Sequence, residues 1–303
     1  MAMYDVAVEK CGGYSFEEVY SAVKSAVERV EGLCWVKPGM TVVIKANLVS
    51  AMKPDRAATT HPAVICAVTR MLKELGAGVI IGDSPGGLYS SAYVNHIYSV
   101  TGMDRAREYG AELNQDFSQR QADFPEGKVL HSFMYTGYLD KADGIVDLCK
   151  LKSHGMMGMS AGAKNMFGAI PGTIKPEYHF KFPDYDDFAD MIVDINEYFR
   201  PRLTVTDAVV GMEGNGPTAG VPRKMGFIAA ARSPHAADLV CSEILGLRTE
   251  NLPILRAAIK RGLIPDSADK LRVFGDMEAF RVSDFKYMAV PASLVFSGSS
   301  PAM

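Results

Sequence analysis

Apolar and polar positions alternate along this chain in short blocks whose period switches between two and about 3.6 residues. Tyr4–Glu9 alternates as a strand does. Ser15 followed by Glu18 has the spacing of a capping box and predicts a helix to about Val30. Thr41–Ala46 is a β-branched run, and a long polar loop follows to Thr60. From Pro62 to Leu75 the residues Val64, Ile65, Val68, Met71, Leu72 and Leu75 keep helical spacing, with Gly76 as the stop. Gly78–Gly82 reads as a short buried strand, Val94–Tyr109 as two short helical stretches, and Gly144–Lys152 as a further strand. In the second half, Asp186–Phe199 reads as a helix ended by Pro201, and Leu203–Asp207 and Phe227–Ala231 as strands. Helices are predicted at Ala236–Leu245 and Pro253–Lys260, and Leu271–Phe274 reads as the last strand.

Strands that alternate with helices predict an α/β fold, a mainly parallel sheet with helices on both faces. Residues 1–290 read as the folded domain, with Leu139–Asp143 as the candidate boundary if two lobes flank a cleft. Residues 291–303 read as a flexible tail.

Four of the predicted strands are apolar at the start and polar at the carboxyl end. They run into Lys45 and Asn47, into Asp83 and Ser84, into Lys150, Lys152 and His154, and into Asp207. In an open parallel sheet those ends line the ligand crevice. Polar residues also mark any place where a strand surfaces, so it is the repetition that points to a site. Residues two apart share a strand face, which puts Lys45 with Asn47 and Lys150 with Lys152.

The densest chemistry lies in Lys150–Lys181, where His154, Lys164, Asn165, Lys175 and His179 are interleaved with five glycines. A helix starting just before Lys164 would turn free N–H groups toward an anion. Lys164 is followed by Asn165 rather than Ser or Thr, so this is not a Walker loop. Gly214–Gly220 mimics a dinucleotide fingerprint, but Pro217 spoils the required helix entry. Asp207, Glu213, Asn215 and Asp238 are candidates to orient lysines or hold a ligand. His61 belongs to a turn at a helix start, and His96, His131 and His235 lack polar company and read as structural or exposed.

Composition narrows the classes. The 303 residues are 48% hydrophobic and 22% charged, as in an ordinary globular protein. A formal net charge of −3 argues against nucleic acid or anionic lipid as the main partner. No apolar run approaches the ~20 residues of a membrane span, and the acidic N-terminal segment predicts a cytoplasmic protein. Five cysteines at 11, 34, 66, 149 and 241 contain no Cys-x-x-Cys and read as reduced thiols.

The segments 42–50 (VVIKANLVS), 60–68, 80–87 (IIGDSPGG), 148–154 (LCKLKSH), 162–172 (GAKNMFGAIPG), 206–217 and the Ala-Ala-Asp element at 236–238 resemble the domain-of-unknown-function 362 family. Many members carry a following ferredoxin-like segment with two clusters of cysteines, so the resemblance implies [4Fe–4S] centres only on a segment outside these residues. The run from His154 through Gly158, Ser160, Gly162 and Lys164 to Pro171-Gly172 is similar to an element of the lactate racemase family. That likeness implies Lys164 as the tether of a nickel-pincer nucleotide, His154 as acid/base and His179 as a metal ligand; the second catalytic histidine and substrate arginine of that family have no match.

Two functions compete. The first is a redox-linked enzyme that binds an anionic small molecule or nucleotide-like cofactor through Lys45, Lys152 and Lys164, with His154 as acid/base. The second is a non-catalytic scaffold that docks an iron–sulfur module or partner protein through its lysines.

Overall fold

The computed structural model describes residues 4–290; the expected tail at 291–303 lies outside them. The strands are β1 (Asp5–Lys10), β2 (Thr41–Lys45), β3 (Gly78–Gly82), β4 (Glu112–Leu113), β5 (Gln119–Asp123), β6 (Ser132–Thr136), β7 (Gly144–His154), β8 (Gly158–Ser160), β9 (Leu203–Glu213), β10 (Val221–Ala231) and β11 (Arg272–Phe274). The α-helices are α1 (Phe16–Arg29), α2 (Pro62–Glu74), α3 (Ser91–Thr101), α4 (Gly162–Asn165), α5 (Lys175–Lys181), α6 (Tyr185–Phe199), α7 (Pro234–Ile244) and α8 (Pro253–Lys260). None of the described helices is long and apolar enough to cross a membrane.

Nine strands form one sheet in the order β11-β1-β10-β9-β7-β2-β3-β4, with β8 folded back on β7. The β9-β7-β2-β3-β4 stretch is parallel throughout, and β10 runs antiparallel to both its neighbours. Side chains alternate between the two faces. Val42, Ile44, Val146 and Leu148 pack with α1, α2 and α3 on one side. Val43 and Ile145 pack with α6 on the other, where Cys149 and Leu151 meet α7 and α8. The carboxyl ends of β2, β3 and β7 therefore open side by side.

Three expectations change. Ser15 is the N-cap of α1, but its hydroxyl caps nothing. Glu18 instead accepts the Gly12 N–H at 2.6 Å and ties down the preceding loop. The strands at Leu203 and Phe227 are the inner halves of an 11-residue antiparallel pair. Their outer halves carry Gly211, Arg223 and Lys224 and an irregularity between Lys224 and Phe227, which hides the alternation from the sequence. The β5–β6 hairpin escaped notice because β5 is almost wholly exposed and polar.

Asp194 on α6 fixes that hairpin. Its buried carboxylate accepts the N–H groups of Lys128, Val129 and Leu130 and pairs with Arg261 at 2.8 Å. Asp194→Ala leaves three backbone donors without their acceptor and a largely buried guanidinium without its nearest carboxylate, with only the more distant Asp190 remaining. The expected loss is about 3 kcal/mol of stability, the size seen when one partner of a buried pair is removed. A urea melt of the variant checks it, and an unchanged midpoint would refute this account of the hairpin.

Candidate functional site

Lys45, the last residue of β2, is completely buried and forms an ion pair with Asp83, just beyond β3, at 2.7 Å. Its ammonium also donates to the Ala46 carbonyl and to Asn165 Oδ1. The Asp83 carboxylate accepts the Leu48 N–H at 2.7 Å through its other oxygen. Asn165 on α4 is the hub: Oδ1 also accepts from Asn47, and Nδ2 donates to Asp147 at 2.6 Å. Lys152, on the last turns of pleat in β7, donates to Asn47 Oδ1 at 2.8 Å and the Ala58 carbonyl at 2.7 Å.

Above this layer lies a cleft of about 220 Å³ lined by Asn47, Asp83, Ser84, Lys152, His154, Lys164, Asn165, Lys175 and His179, with Ser160, Phe167 and Pro217 at its walls. The Gly-rich segment closes over it. Gly168 sits against the ion pair, and a Cβ there would come 2.0 Å from Asp83 Oδ1 and 2.5 Å from Lys45 Nζ. Ser84 holds the same segment from below, accepting the Gly172 N–H at 2.6 Å.

Residues 42–243 match the family model described as Domain of unknown function (DUF362). The chain belongs to the DUF362 family. Every residue that lines the cleft falls inside that match. A thylakoid-associated protein of Synechocystis sp. is 30% identical over 273 residues, 87% of this chain and 81% of that protein. Among solved structures, the lactate racemase apoprotein of Thermoanaerobacterium thermosaccharolyticum aligns with 78% of this chain at 12% identity and a TM-score of 0.45. A Thermotoga maritima protein aligns with 78% of the chain at 14% identity and a TM-score of 0.40. The chain spans 56% and 60% of the length of these two.

In this DUF362 protein the cleft lysines differ in how they are satisfied. Lys175 donates to the carbonyls of Ser84 and Pro85. Lys164 has no hydrogen-bond acceptor or carboxylate partner among the described residues; its ammonium lies over the Phe167 ring at 4.4 Å and near that of Phe188 at 5.8 Å. Burial, reinforced by the neighbouring lysines, lowers Lys164 to about 7 and Lys152 to about 7. Burial lowers Lys175 to about 8, against the pull of Asp83. Lys164 keeps partial solvent access, and the charges of Lys175, Lys152 and Lys45 add to the effect of burial.

His154 accepts the N–H groups of Met156 and Met157 on Nδ1. That pattern assigns the proton of the neutral ring to Nε2, the nitrogen left for the cleft. Burial and the Lys164 charge hold the ring neutral, well below its ordinary titration range. His179 lies at the exposed rim, stacked on Phe188 at 4.7 Å.

Several expectations fall elsewhere. Lys150 and Asp207 form their own buried ion pair at 2.6 Å, sealed by Tyr14, which donates to Asp207 and stacks on His61. Glu213 pairs with Arg223 and accepts the Lys286 N–H, and Asn215 is exposed on the β9–β10 connection. Neither lines the cleft. Asp238 on α7 accepts the N–H groups of Gly162 and Ala163 at 2.7 and 3.0 Å. The helix start expected to greet an anion is thus already taken by a carboxylate. No three His, Cys, Asp or Glu side chains among the described residues could share a metal ion. The five thiols are free, four buried and Cys34 exposed.

Sequence reasoning missed Lys175, Phe167, Gly168 and Pro217 as cleft residues. Lys175 stood in the same lysine-rich run, but it follows no strand end, and Phe167 carries no polar signal at all.

Gly168→Ala forces a methyl group between Lys45 and Asp83. The expected result is a clearly lower urea midpoint, whereas Gly155→Ala, with open space around its Cβ, leaves the midpoint unchanged. Equal midpoints for the two variants would contradict the close packing over the ion pair.

Proposed function

We propose that this protein is an enzyme that binds a small anionic molecule in the lysine-lined cleft and moves a proton on it. The observation that carries this reading is the charge imbalance. Lys45, Lys152, Lys164 and Lys175 crowd a single charged partner in the cleft, Asp83, and Lys45 already occupies that carboxylate. Such repulsion is costly in a partly dry site, and an oxyanion relieves it for all the lysines at once.

Each residue then has a task. Lys152 and Lys175 hold the negative charge as compact, rotatable donors. Lys164, lowered to about 7, is a mixture of amine and ammonium near neutrality and can accept or return a proton. His154 donates a hydrogen bond from Nε2 to the bound oxygen, which favours build-up of negative charge there. In this tautomer it serves as donor rather than base, a narrower task than acid/base work. Phe167 and Phe188 keep water away from one side of the Lys164 amine.

The scaffold reading draws on exposed Leu88, which lines a hollow shared with Lys175 and His179, and on exposed Phe180, the next residue after His179. Native mass spectrometry separates the two. Retention of a small anion by the wild type, lost in Lys164→Ala, supports the enzyme; no retained anion in either protein favours the scaffold.

Proton coupling gives a sharper test. Oxalate is a dianion from pH 6 to 9, so only the protein titrates. Lys152 and Lys164 are charged below about 7 and neutral above it, and the anion prefers the charged forms. Oxalate affinity should therefore fall by at least tenfold between pH 6.5 and 9. At pH 8, calorimetry in buffers of different ionisation enthalpy should register proton uptake on binding. A pH-independent affinity would overturn the role given to these lysines.

A further inference from the structure

At the opposite end of the sheet, where β7 and β9 begin and β10 ends, lies a second pocket of about 530 Å³. Its lining includes Trp35, Asn196, Arg200, Arg202, Arg232 and His235. The sequence reading treated His235 as structural or exposed, but its surroundings say otherwise. It is 3% exposed, and neither ring nitrogen has a hydrogen-bond partner. Asn196, also 3% exposed, has an unpartnered Oδ1, while its Nδ2 donates to the carbonyls of Ala163 and Ile192. Buried polar groups nearly always find partners, so two such residues in one pocket wall hold unmet hydrogen-bonding capacity that a small shift of the wall would offer to an entering molecule.

The charge of the pocket says what that is. Arg232 makes no ion pair or side-chain hydrogen bond among the described residues. Arg202 lies over the Trp35 ring at 5.1 Å, and Arg200 donates only to the Glu197 carbonyl. Glu197 is the one carboxylate in the lining, which leaves three guanidinium groups against it. The N-terminus of α7 adds its positive dipole end, with Ser233 as the cap. Burial keeps His235 neutral, lowered to about 4, so it offers one donor and one acceptor.

We propose that this pocket binds a small oxyanion-bearing molecule, its phosphate or carboxylate held by Arg200, Arg202 and Arg232 and its polar body paired with His235 and Asn196. The volume suits a small metabolite. The site is separate from the lysine cleft. Trp35 packs directly on Gly144, where a Cβ would come 2.4 Å from the ring. Lys152 lies eight residues further along β7, on the order of 25 Å at ~3.3 Å per residue.

Trp35 is the only tryptophan in the sequence, so its fluorescence reports this pocket directly. The full chain carrying Lys164→Ala is titrated with pyrophosphate and separately with citrate. A saturable change in Trp35 emission with at least one probe is expected, and the stronger probe identifies phosphate or carboxylate as the preferred group. Arg232→Ala and His235→Phe, added to that background, should each weaken the response at least tenfold. If His235→Phe does not fold, Arg232→Ala decides alone, since that side chain has no partner to lose. No saturable change with either probe, or equal affinity after Arg232→Ala, would overturn the proposal. Because Trp35 lies at the opposite end of the sheet from the cleft, neither result bears on the cleft reading.

Discussion

Like charges confined at the carboxyl edge of a parallel sheet are the constraint around which this molecule is built. Lys45 is made tolerable by Asp83, Lys152 by two neutral oxygens, and Lys175 by two carbonyls. Lys164 is left with aromatic faces alone. Holding such a set together takes a rigid frame, and the polar side chains around it supply one. Asn165 joins β2, β7 and α4 through a single amide, Ser84 fastens the Gly-rich segment at Gly172, and Asp238 fastens it at Gly162 and Ala163. The residues that hold the loop are as polar as those that face the cleft, but each has its partner.

That contrast explains why two lysines on one strand face have different fates. Lys150 and Lys152 both point from β7 toward the α1–α3 side. Lys150 meets Asp207, the Tyr14 hydroxyl and the Val210 carbonyl, and nothing about it remains unmet. Lys152 meets only neutral acceptors, so its charge remains available to a ligand. Partner chemistry, rather than position on the strand, separates a lysine paired with a carboxylate from one held by neutral oxygens alone.

The strand-end regularity was legible because period-two alternation and terminal polarity are local properties. It brings Lys45, Asn47, Asp83, Ser84, Lys152 and His154 to one edge of the sheet, and the sheet does gather them there. It could not separate Lys150 from Lys152, because Tyr14 and Asp207 arrive from 136 and 57 positions away in sequence. Nor could it reveal that Asp238 would reach across 76 residues to occupy the helix start before Lys164. The outer halves of β9 and β10 and the β5–β6 hairpin were invisible for a related reason. Their stability comes from pairing and from anchors such as Asp194, not from an apolar pattern of their own.

Asp238 has one more consequence. By taking the free backbone donors of α4, it leaves recognition in the cleft to side chains, and those side chains are lysines. A lysine can lose its proton when crowded and partly dried, and burial pushes Lys164 down to about 7, so on the proposed reading a site built from lysines would both hold an anion and exchange a proton with it. The pocket at the other end of the sheet is built from arginines, which keep their charge under all ordinary conditions and can bind but not exchange. On the reading proposed above, the choice of cation would divide the two ends of the molecule by chemistry: proton transfer at the carboxyl edge, where β2, β3 and β7 converge, and recognition alone at the edge where β7 and β9 begin.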